Sequence, residues 1–219
     1  MLRLLSLSCM NVFLGLITSI QAPFFPIEAS SKGASASQYG PVFGIIHAAF
    51  FLTNPLVARF IRKFGIKLTF GLSILLTSAG ALSFGFLTYI TPRSTFLALA
   101  YILRLLEGVS GAGLYDVILL LLLSRYPDRA AVAFALNEVT FGLGAMTGPV
   151  VGSFLYTSGG FLLPFASCAA GMAVTGAVAL CTLAPWMEAY ENMDRNSEPN
   201  FNILKFLSTN GVIAGIVIV

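Results

Sequence analysis

The chain has 219 residues, of which 57% are hydrophobic and only 10% are charged, and its mean hydropathy is +0.89. A soluble domain carries about 25% charged residues, because it needs a solvated surface. This composition excludes a soluble enzyme, a nucleic-acid-binding module and a disordered chain, and the net charge of +3 is too small to suggest a nucleic-acid partner. The sequence therefore predicts an integral membrane protein.

Six apolar stretches are each long enough to cross a bilayer, whose hydrocarbon core of about 30 Å requires about 20 helical residues. In chain order they are residues 2–24, 40–61, 68–90, 96–123, 130–156 and 161–183. The first stretch has no small-residue cleavage pattern before Pro23, so we interpret it as a retained span rather than a signal peptide. Helices satisfy their backbone groups inside hydrocarbon, and the alternating pattern of a membrane barrel is absent from the sequence. The predicted fold class is an all-α, multi-pass membrane protein.

A polar segment, residues 186–202, follows the sixth span and predicts a solvated linker. Beyond it, residues 203–219 are again apolar and predict the start of a seventh transmembrane helix. The expected domain organisation is therefore a six-helix bundle over residues 1–185, the linker, and the beginning of a second unit.

The basic residues outside the spans are distributed unequally between the two ends of the predicted helices. One end carries seven, namely Arg3, Arg59, Arg62, Lys63, Lys67, Arg125 and Arg129, whereas the other carries two, Lys32 and Arg93. Because loops rich in lysine and arginine stay in the cytosol, we expect the first end to be cytosolic, together with the amino terminus and the linker.

Four charged residues fall at membrane depth, where a charge costs about 2.5–3.5 kcal/mol on insertion scales. Arg104 and Glu107 are three residues apart in span four, about 60° apart around a helix, and we expect them to pair. Asp116 lies about 180° from Glu107 and therefore on another face. Glu138 in span five is expected either to meet one of these groups or to reach water. These four and Asn11 are candidates for substrate binding or proton coupling; the alternatives are structural ion pairs and, for Asn11, a helix–helix hydrogen bond.

Span five carries glycines four residues apart, at Gly144, Gly148 and Gly152, with Pro149 beside the second. Small residues at this spacing form a flat stripe on which another membrane helix packs closely. Pro149 removes a backbone hydrogen bond and predicts a kink. In span four, Gly108 is a similar point at which a partner helix or a substrate approaches.

Three segments resemble, in order and in position, the motifs of the major facilitator superfamily of secondary transporters. Residues 58–67, ARFIRKFGIK, look like its GxxxD(R/K)xGR(R/K) loop signature between spans two and three. Residues 104–111, RLLEGVSG, are similar to its RxxQGxG motif, and residues 144–153, GAMTGPVVGS, match its GxxxGPxxGG motif except at the last position.

A narrower resemblance joins the chain to the vesicular amine transporters, above all to the vesicular polyamine transporter branch. It rests on the sequences PFFPIEA at 23–29, KGAS at 32–35 and GSFLY at 152–156, together with Glu138. The resemblance extends from Asn11 to about residue 185 and covers the first half of the family's chain.

The resemblance implies twelve helices in two six-helix halves, with alternating access to a substrate site near the midplane. It implies proton-coupled antiport of organic cations or polyamines, with Arg104 at the position linked to proton coupling and Glu107 at the usual glutamine position. It assigns conformational roles to residues of the three motifs, namely Arg62, Lys63, Gly65, Lys67, Gly108, Gly144, Gly148, Pro149 and Gly152. Because Arg62 replaces the acid of the loop signature, the cytosolic gate that this acid stabilises is expected to be weakened or rebuilt.

The expected product is thus a half-length or fragment chain that acts in a vesicle, lysosome-like or plasma membrane. Its expected partners are the lipid bilayer, a small cationic substrate with protons, and either the missing carboxy-terminal half or a second half-molecule. No cofactor, metal or nucleic acid is predicted.

Three alternatives follow from the same residues. A half-molecule without transport activity would modulate a full-length transporter. A seven-helix receptor would fit the helix count, but the sequence lacks the Asp/Glu-Arg-Tyr and Asn-Pro-x-x-Tyr motifs of such receptors. An intramembrane enzyme is not predicted, because no HExxH, GxSxG or paired-Asp pattern falls within a span.

Overall fold

The structure is a computed structural model that describes residues 2–196. These residues form eight α-helices and two 3₁₀ turns, with no strand among them, which confirms the predicted all-α fold class. The helices are α1 (Leu2–Ser19), α2 (Phe25–Ser31), α3 (Ala36–Tyr39), α4 (Pro41–Phe64), α5 (Ile66–Gly85), α6 (Arg93–Arg125), α7 (Ala130–Gly159) and α8 (Leu162–Asn196). Within the described part of the chain, six helices are long and apolar enough to span a membrane: α1 and α4 to α8, of which α4 is extended by α3.

Most span boundaries differ from the predicted ones by a few residues, and two of these differences change the interpretation of a segment. α1 ends at Ser19, before the predicted limit at residue 24, because the chain turns there and α2 begins at Phe25 with Pro26 in its first turn. At the other end, α8 continues to Asn196, so the first part of the predicted linker is helical. The remaining linker residues and residues 203–219 lie outside the described residues, and the division into domains stays a prediction.

The six long helices form a bundle in which helices that are adjacent in space are often not consecutive in the chain. α1 packs on α7 and α8, α4 packs on α6, and α5 packs on both α6 and α8. α6 is the most buried of these spans. In its most apolar stretch 61% of the residues are buried, against 22% in both α4 and α7. The core therefore lies around α6, which is the helix that carries three of the four charged residues predicted at membrane depth.

The glycine stripe of α7 lies directly against the backbone of α1. A side chain at Gly144 would collide with the Val12 carbonyl oxygen, and one at Gly148 would come within 3.2 Å of the Leu16 carbonyl oxygen. Gly152 continues the contact one turn further on, where a side chain would come within 2.8 Å of Cγ1 of Ile20. The expected close approach of a partner helix to this stripe is present, and the partner is α1.

One end of the bundle brings together the start of α1, the turn between α4 and α5, and the end of α8. Arg3 Nε donates a hydrogen bond to the Thr182 carbonyl oxygen over 3.0 Å. Gly65 has a positive φ of +88° and lies next to the Glu191 side chain. A Cβ at Gly65 would be 2.8 Å from Oε1 of Glu191. The predicted basic loops thus lie at a common end, and its assignment to the cytosol remains a prediction.

Candidate functional site: a buried ion pair and an accessible carboxylate

Arg104 and Glu107 form a buried ion pair on α6. Arg104 Nη1 lies 2.6 Å from Glu107 Oε2, and both side chains have almost no exposed surface. The predicted pairing of these residues is present, because a separation of three residues brings side chains together on one face of a helix.

The pair faces α5, where its surroundings are largely apolar. The Arg104 guanidinium lies over the Phe84 ring, with Cζ 4.1 Å from the ring centroid. Gly80 makes room for Glu107, because a Cβ at Gly80 would lie only 3.0 Å from Cγ of the glutamate. A cation over an aromatic face is attracted by the ring quadrupole. Phe84 therefore offers Arg104 a second stabilising contact.

The hydrogen-bonding capacity of the pair is only partly used. Arg104 Nε and Nη2 and Glu107 Oε1 are buried without a hydrogen-bond partner. Buried polar atoms in proteins are almost always satisfied, and each exception requires an explanation. One carboxylate oxygen and two guanidinium nitrogens of this pair therefore have hydrogen-bonding capacity that no described residue uses.

A second polar contact joins α6 to α7. The Tyr115 hydroxyl donates a hydrogen bond to Oε1 of Glu138. Glu138 is exposed, as one of the two sequence-based alternatives expected, and it meets neither Arg104 nor Glu107. The physical reason is that Glu138 lies on α7, whereas the Arg104–Glu107 pair faces α5.

Aromatic rings surround the Tyr115 side chain. The Phe50 ring lies 5.5 Å from the Tyr115 ring at an angle of 71°, and the Phe141 ring lies 5.8 Å away at 84°. All three side chains are half-buried. Aromatic faces next to an accessible carboxylate are the two features that attract organic cations.

Asn11 of α1 binds α7 through its side-chain amide. Nδ2 of Asn11 donates to the Asn137 carbonyl oxygen over 2.5 Å, to Asn137 Oδ1 over 3.1 Å and to Thr140 Oγ1 over 3.0 Å. Asn11 and Asn137 are fully buried. This is the helix–helix hydrogen bond that the sequence offered as one interpretation, and a role of Asn11 in coupling stays a prediction.

Asp116 directly follows Tyr115 in α6 and forms no contact with the Arg104–Glu107 pair. It is half-buried, and it forms no hydrogen bond or ion pair with another side chain among residues 2–193. Gly108 of α6 faces α4, because a Cβ there would lie 2.5 Å from the Ile46 carbonyl oxygen. Gly108 is thus a contact between helices and does not line the space beside the charged pair.

The conformational motifs lie at two separate places. Gly144 and Gly148 belong to the α1–α7 contact, and Pro149 follows Gly148 within α7. Arg62 and Lys63 are in the last turn of α4, and the positive φ of Gly65 turns the chain into α5. The glycines of α7 therefore hold α1 and α7 together. The loop motif forms the turn between α4 and α5, at the basic end of the bundle.

The partners of the predicted residues could not be identified from the sequence. Tyr115, Asn137, Thr140 and Phe84 each contact a residue that was singled out, but none carries a charge. Asn137 and Thr140 are three residues apart on one helix, a spacing that signals a shared face. The helix to which this face turns is decided by packing alone. No cluster of three potential metal ligands occurs in the described part of the chain.

Comparisons with known proteins give a consistent assignment. Residues 7–219 match the family model described as Major Facilitator Superfamily. The chain is similar to the MFS-type transporter SLC18B1 of Homo sapiens, with 30% identity over 74% of this chain and 36% of that protein. The proteins of the same name from Mus musculus and Rattus norvegicus are 28% identical over a similar share.

The chain matches just over a third of the length of these curated relatives. The family match, in contrast, covers nearly all of this chain and includes both the buried pair of α6 and the glycine stripe of α7. The chain belongs to the Major Facilitator Superfamily.

Proposed function

We propose that this chain is the amino-terminal six-helix half of a proton-coupled exchanger of small organic cations, including polyamines, that works by alternating access. The observation that carries the proposal is the Arg104–Glu107 pair, a buried charged pair in which one carboxylate oxygen has no partner. Ionisable groups inside a membrane are costly and mark ion or proton pathways. Membership of a transporter superfamily and similarity to proteins named MFS-type transporters support transport as the function.

Glu107 is the group to which we assign proton coupling. A carboxylate exchanges a proton, whereas the glutamine that the family motif carries at this position does not. Protonation of Glu107 would release Arg104 from its ion pair, and a freed cation in this environment would seek another acceptor. A switch between paired and released Arg104 would thus link the proton to a rearrangement of α6 against α5.

Glu138 is the group to which we assign attraction of the cationic substrate. Its carboxylate is accessible and accepts the hydrogen bond of Tyr115, whose ring packs against the rings of Phe50 and Phe141. The relatives' printed names state no substrate, so the cation class rests on this chemistry and on the resemblance to vesicular amine transporters.

The proposal is tested with the purified 219-residue chain in liposomes that have an acidic interior. We expect uptake of radiolabelled spermidine that collapses when the pH gradient is dissipated. Glu107→Gln preserves the shape of the side chain and removes its titration, so proton-driven uptake should fall at least tenfold. Spermidine counterflow without a pH gradient should persist, because binding and alternating access do not require the proton.

Two further variants separate binding from coupling. Glu138→Gln should raise the spermidine concentration needed for half-maximal counterflow, whereas Glu188→Gln, at the exposed end of α8, should leave both assays unchanged. Full proton-driven uptake by Glu107→Gln would remove the coupling role. Absence of any uptake by the unaltered chain would remove transport by copies of this chain alone. It would leave two possibilities: a carboxy-terminal half that supplies the missing helices, or a half-molecule that modulates a full-length carrier.

A transport pathway between two halves also needs a second group of helices that encloses it, which we call the second wall. We infer that the second wall is the carboxy-terminal half of a longer polypeptide or a second copy of this unit. The weakly buried spans α4 and α7 support a further packing partner, because 22% burial leaves most of each span to be covered by lipid or protein. We propose a vesicle, lysosome-like or plasma membrane as the location, with the basic end in the cytosol.

A further inference from the structure

Two arginines converge on Trp186, the only tryptophan of the chain. Arg3 Cζ lies 5.7 Å from the centroid of the Trp186 ring, and Arg125 Cζ lies 5.9 Å from the same centroid. The three residues come from the first turn of α1, the last turn of α6 and the polar end of α8. Tertiary packing therefore gathers two positive charges, one from the start of the sequence and one from its middle, around one indole.

Neither guanidinium is neutralised by a carboxylate of the described residues. Arg3 uses Nε for the Thr182 carbonyl oxygen, which leaves both of its terminal nitrogens available, and Arg125 is exposed. The ion pairs formed within the described part of the chain involve Lys32 with Glu28 and Arg104 with Glu107 only. Both guanidinium groups thus lack a carboxylate partner among the described residues and are open to an external anion.

A cavity of about 540 Å³ lies between these groups. Its polar lining includes Arg3, Arg125 and Thr182, and its apolar lining includes Leu2, Leu4 and Pro185. The volume falls within the range of about 300–1,000 Å³ that small-molecule sites occupy. A lining that combines charged and apolar groups matches an amphipathic ligand better than a free ion.

We propose that this cavity binds the headgroup phosphate of an anionic phospholipid, in the leaflet at the basic end of the bundle. Arg3 and Arg125 would hold the phosphate oxygens, since guanidinium forks match phosphate geometry. A headgroup with a net negative charge is preferred to the zwitterionic headgroup of phosphatidylcholine, because the two arginines repel the choline cation. Leu2, Leu4 and Pro185 would contact the beginning of the acyl chains. Basic pockets between transmembrane helices recognise anionic lipid headgroups in this way.

The position of Trp186 supports a lipid rather than a soluble phosphate. Trp is enriched at membrane–water interfaces, and Trp186 follows the apolar part of α8 directly. The site lies at the ends of three membrane-spanning helices, where headgroups are the most concentrated source of phosphate. This inference is independent of the proposed transport function, because it uses none of the charged residues inside the spans.

Trp186 also provides a direct test, because its fluorescence reports only on this site. The full chain is reconstituted into vesicles of phosphatidylcholine that contain increasing fractions of brominated phosphatidylserine or, in a parallel series, brominated phosphatidylcholine. Bromine quenches indole emission at short range. We expect half-maximal quenching at a phosphatidylserine fraction at least fivefold lower than the corresponding phosphatidylcholine fraction.

The matched variants remove charge at and away from the cavity. Arg3→Gln/Arg125→Gln should make the two quenching curves coincide, whereas Arg129→Gln, on the same side and exposed, should keep the fivefold preference. Arg3→Gln and Arg125→Gln alone serve as a second measurement if the double variant fails to fold, and each should reduce the preference. Circular dichroism of every variant establishes that it is helical.

Three results would overturn the proposal. Equal quenching by both lipids in the unaltered chain would mean that the site has no anion selectivity. An equal loss of preference in Arg129→Gln would mean a diffuse surface charge rather than a cavity. Relief of phosphatidylserine quenching by millimolar inorganic phosphate, at constant ionic strength, would identify a site for soluble phosphate instead of a lipid.

Discussion

At the scale of single residues, the decisive feature is that both members of the Arg104–Glu107 pair are buried and that each needs the other. Removing one partner of a buried ion pair leaves an uncompensated charge and typically costs about 3–5 kcal/mol of stability, while replacing both with apolar residues is often nearly neutral. The pair is therefore more informative about function than about stability, because we expect apolar residues at both positions to leave α6 nearly as stable.

This comparison gives a stability prediction. Arg104→Leu should lower the free energy of unfolding by about 3–5 kcal/mol, because Glu107 then has no cation. The double variant Arg104→Leu/Glu107→Leu should recover most of that loss. Unfolding in a titration with sodium dodecyl sulfate, followed by circular dichroism, measures both; a double variant less stable than Arg104→Leu would show that the pair itself is a main stabilising contact.

The transport prediction for Arg104 is different. Arg104→Ala should abolish proton-driven spermidine uptake even where the folded fraction is restored by lower temperature, because Glu107 loses the cation that its protonation is proposed to release. Uptake normalised to the folded fraction is the measurement. Unchanged normalised uptake would separate Arg104 from the coupling mechanism, whatever its contribution to folding.

At the scale of elements, the contact between α1 and α7 depends on glycines, which have no side chain to separate the two helices. Gly144, Gly148 and Gly152 allow the two backbones to approach, and the buried amide of Asn11 adds hydrogen bonds to α7. Close backbone packing is a main source of helix association in membranes, where lipid tails are as apolar as the helices themselves. The α1–α7 pair should therefore be sensitive to a single methyl group.

Two glycines on the same helix test this directly. Gly144→Ala places a Cβ against the Val12 carbonyl oxygen and should cost about 1–3 kcal/mol of unfolding free energy, as overpacking generally does. Gly142→Ala is the matched control, because nothing lies within 4 Å of its Cβ, and alanine favours a helix over glycine by up to about 1 kcal/mol. Equal stability of the two variants in the detergent titration would mean that α1 is not held against this stripe.

At the scale of the whole molecule, α4 and α7 are the spans that the rest of the bundle covers least. Met146 on α7 is 78% exposed, and Leu75 on α5 is 63% exposed. If a second half packs on α7, Met146 faces protein in the assembled carrier. Leu75, on α5, would then face lipid.

Cysteine cross-linking distinguishes these surfaces. In a background with Cys9, Cys168 and Cys181 replaced, Met146→Cys should form a disulfide dimer of the 23.3 kDa chain in membranes, whereas Leu75→Cys should not. An immunoblot of native membranes with an antibody against residues 186–202 measures the natural size first. A native band near twice 23.3 kDa would identify the second wall as part of the same polypeptide, and equal cross-linking at both positions would indicate random collision.

The sequence by itself determined the class of the protein and the positions of most spans, because hydrocarbon length and helical backbone pairing leave few options for so apolar a chain. It also determined the Arg104–Glu107 pair, since both residues lie on one helix and helical periodicity places them together. The same periodicity indicated the glycine stripe of α7. In each case the relevant geometry is internal to a single helix.

Only the tertiary structure decided which helices meet. Glu138 pairs with Tyr115, Asn11 with Asn137, and Arg3 approaches Trp186, although the sequence separates the last two pairs by more than half of the chain. Periodicity fixes the direction of a side chain around its own helix axis, but the neighbour in that direction depends on how six helices pack together. That arrangement is set by close contacts at many positions at once, and no single segment of the sequence contains it.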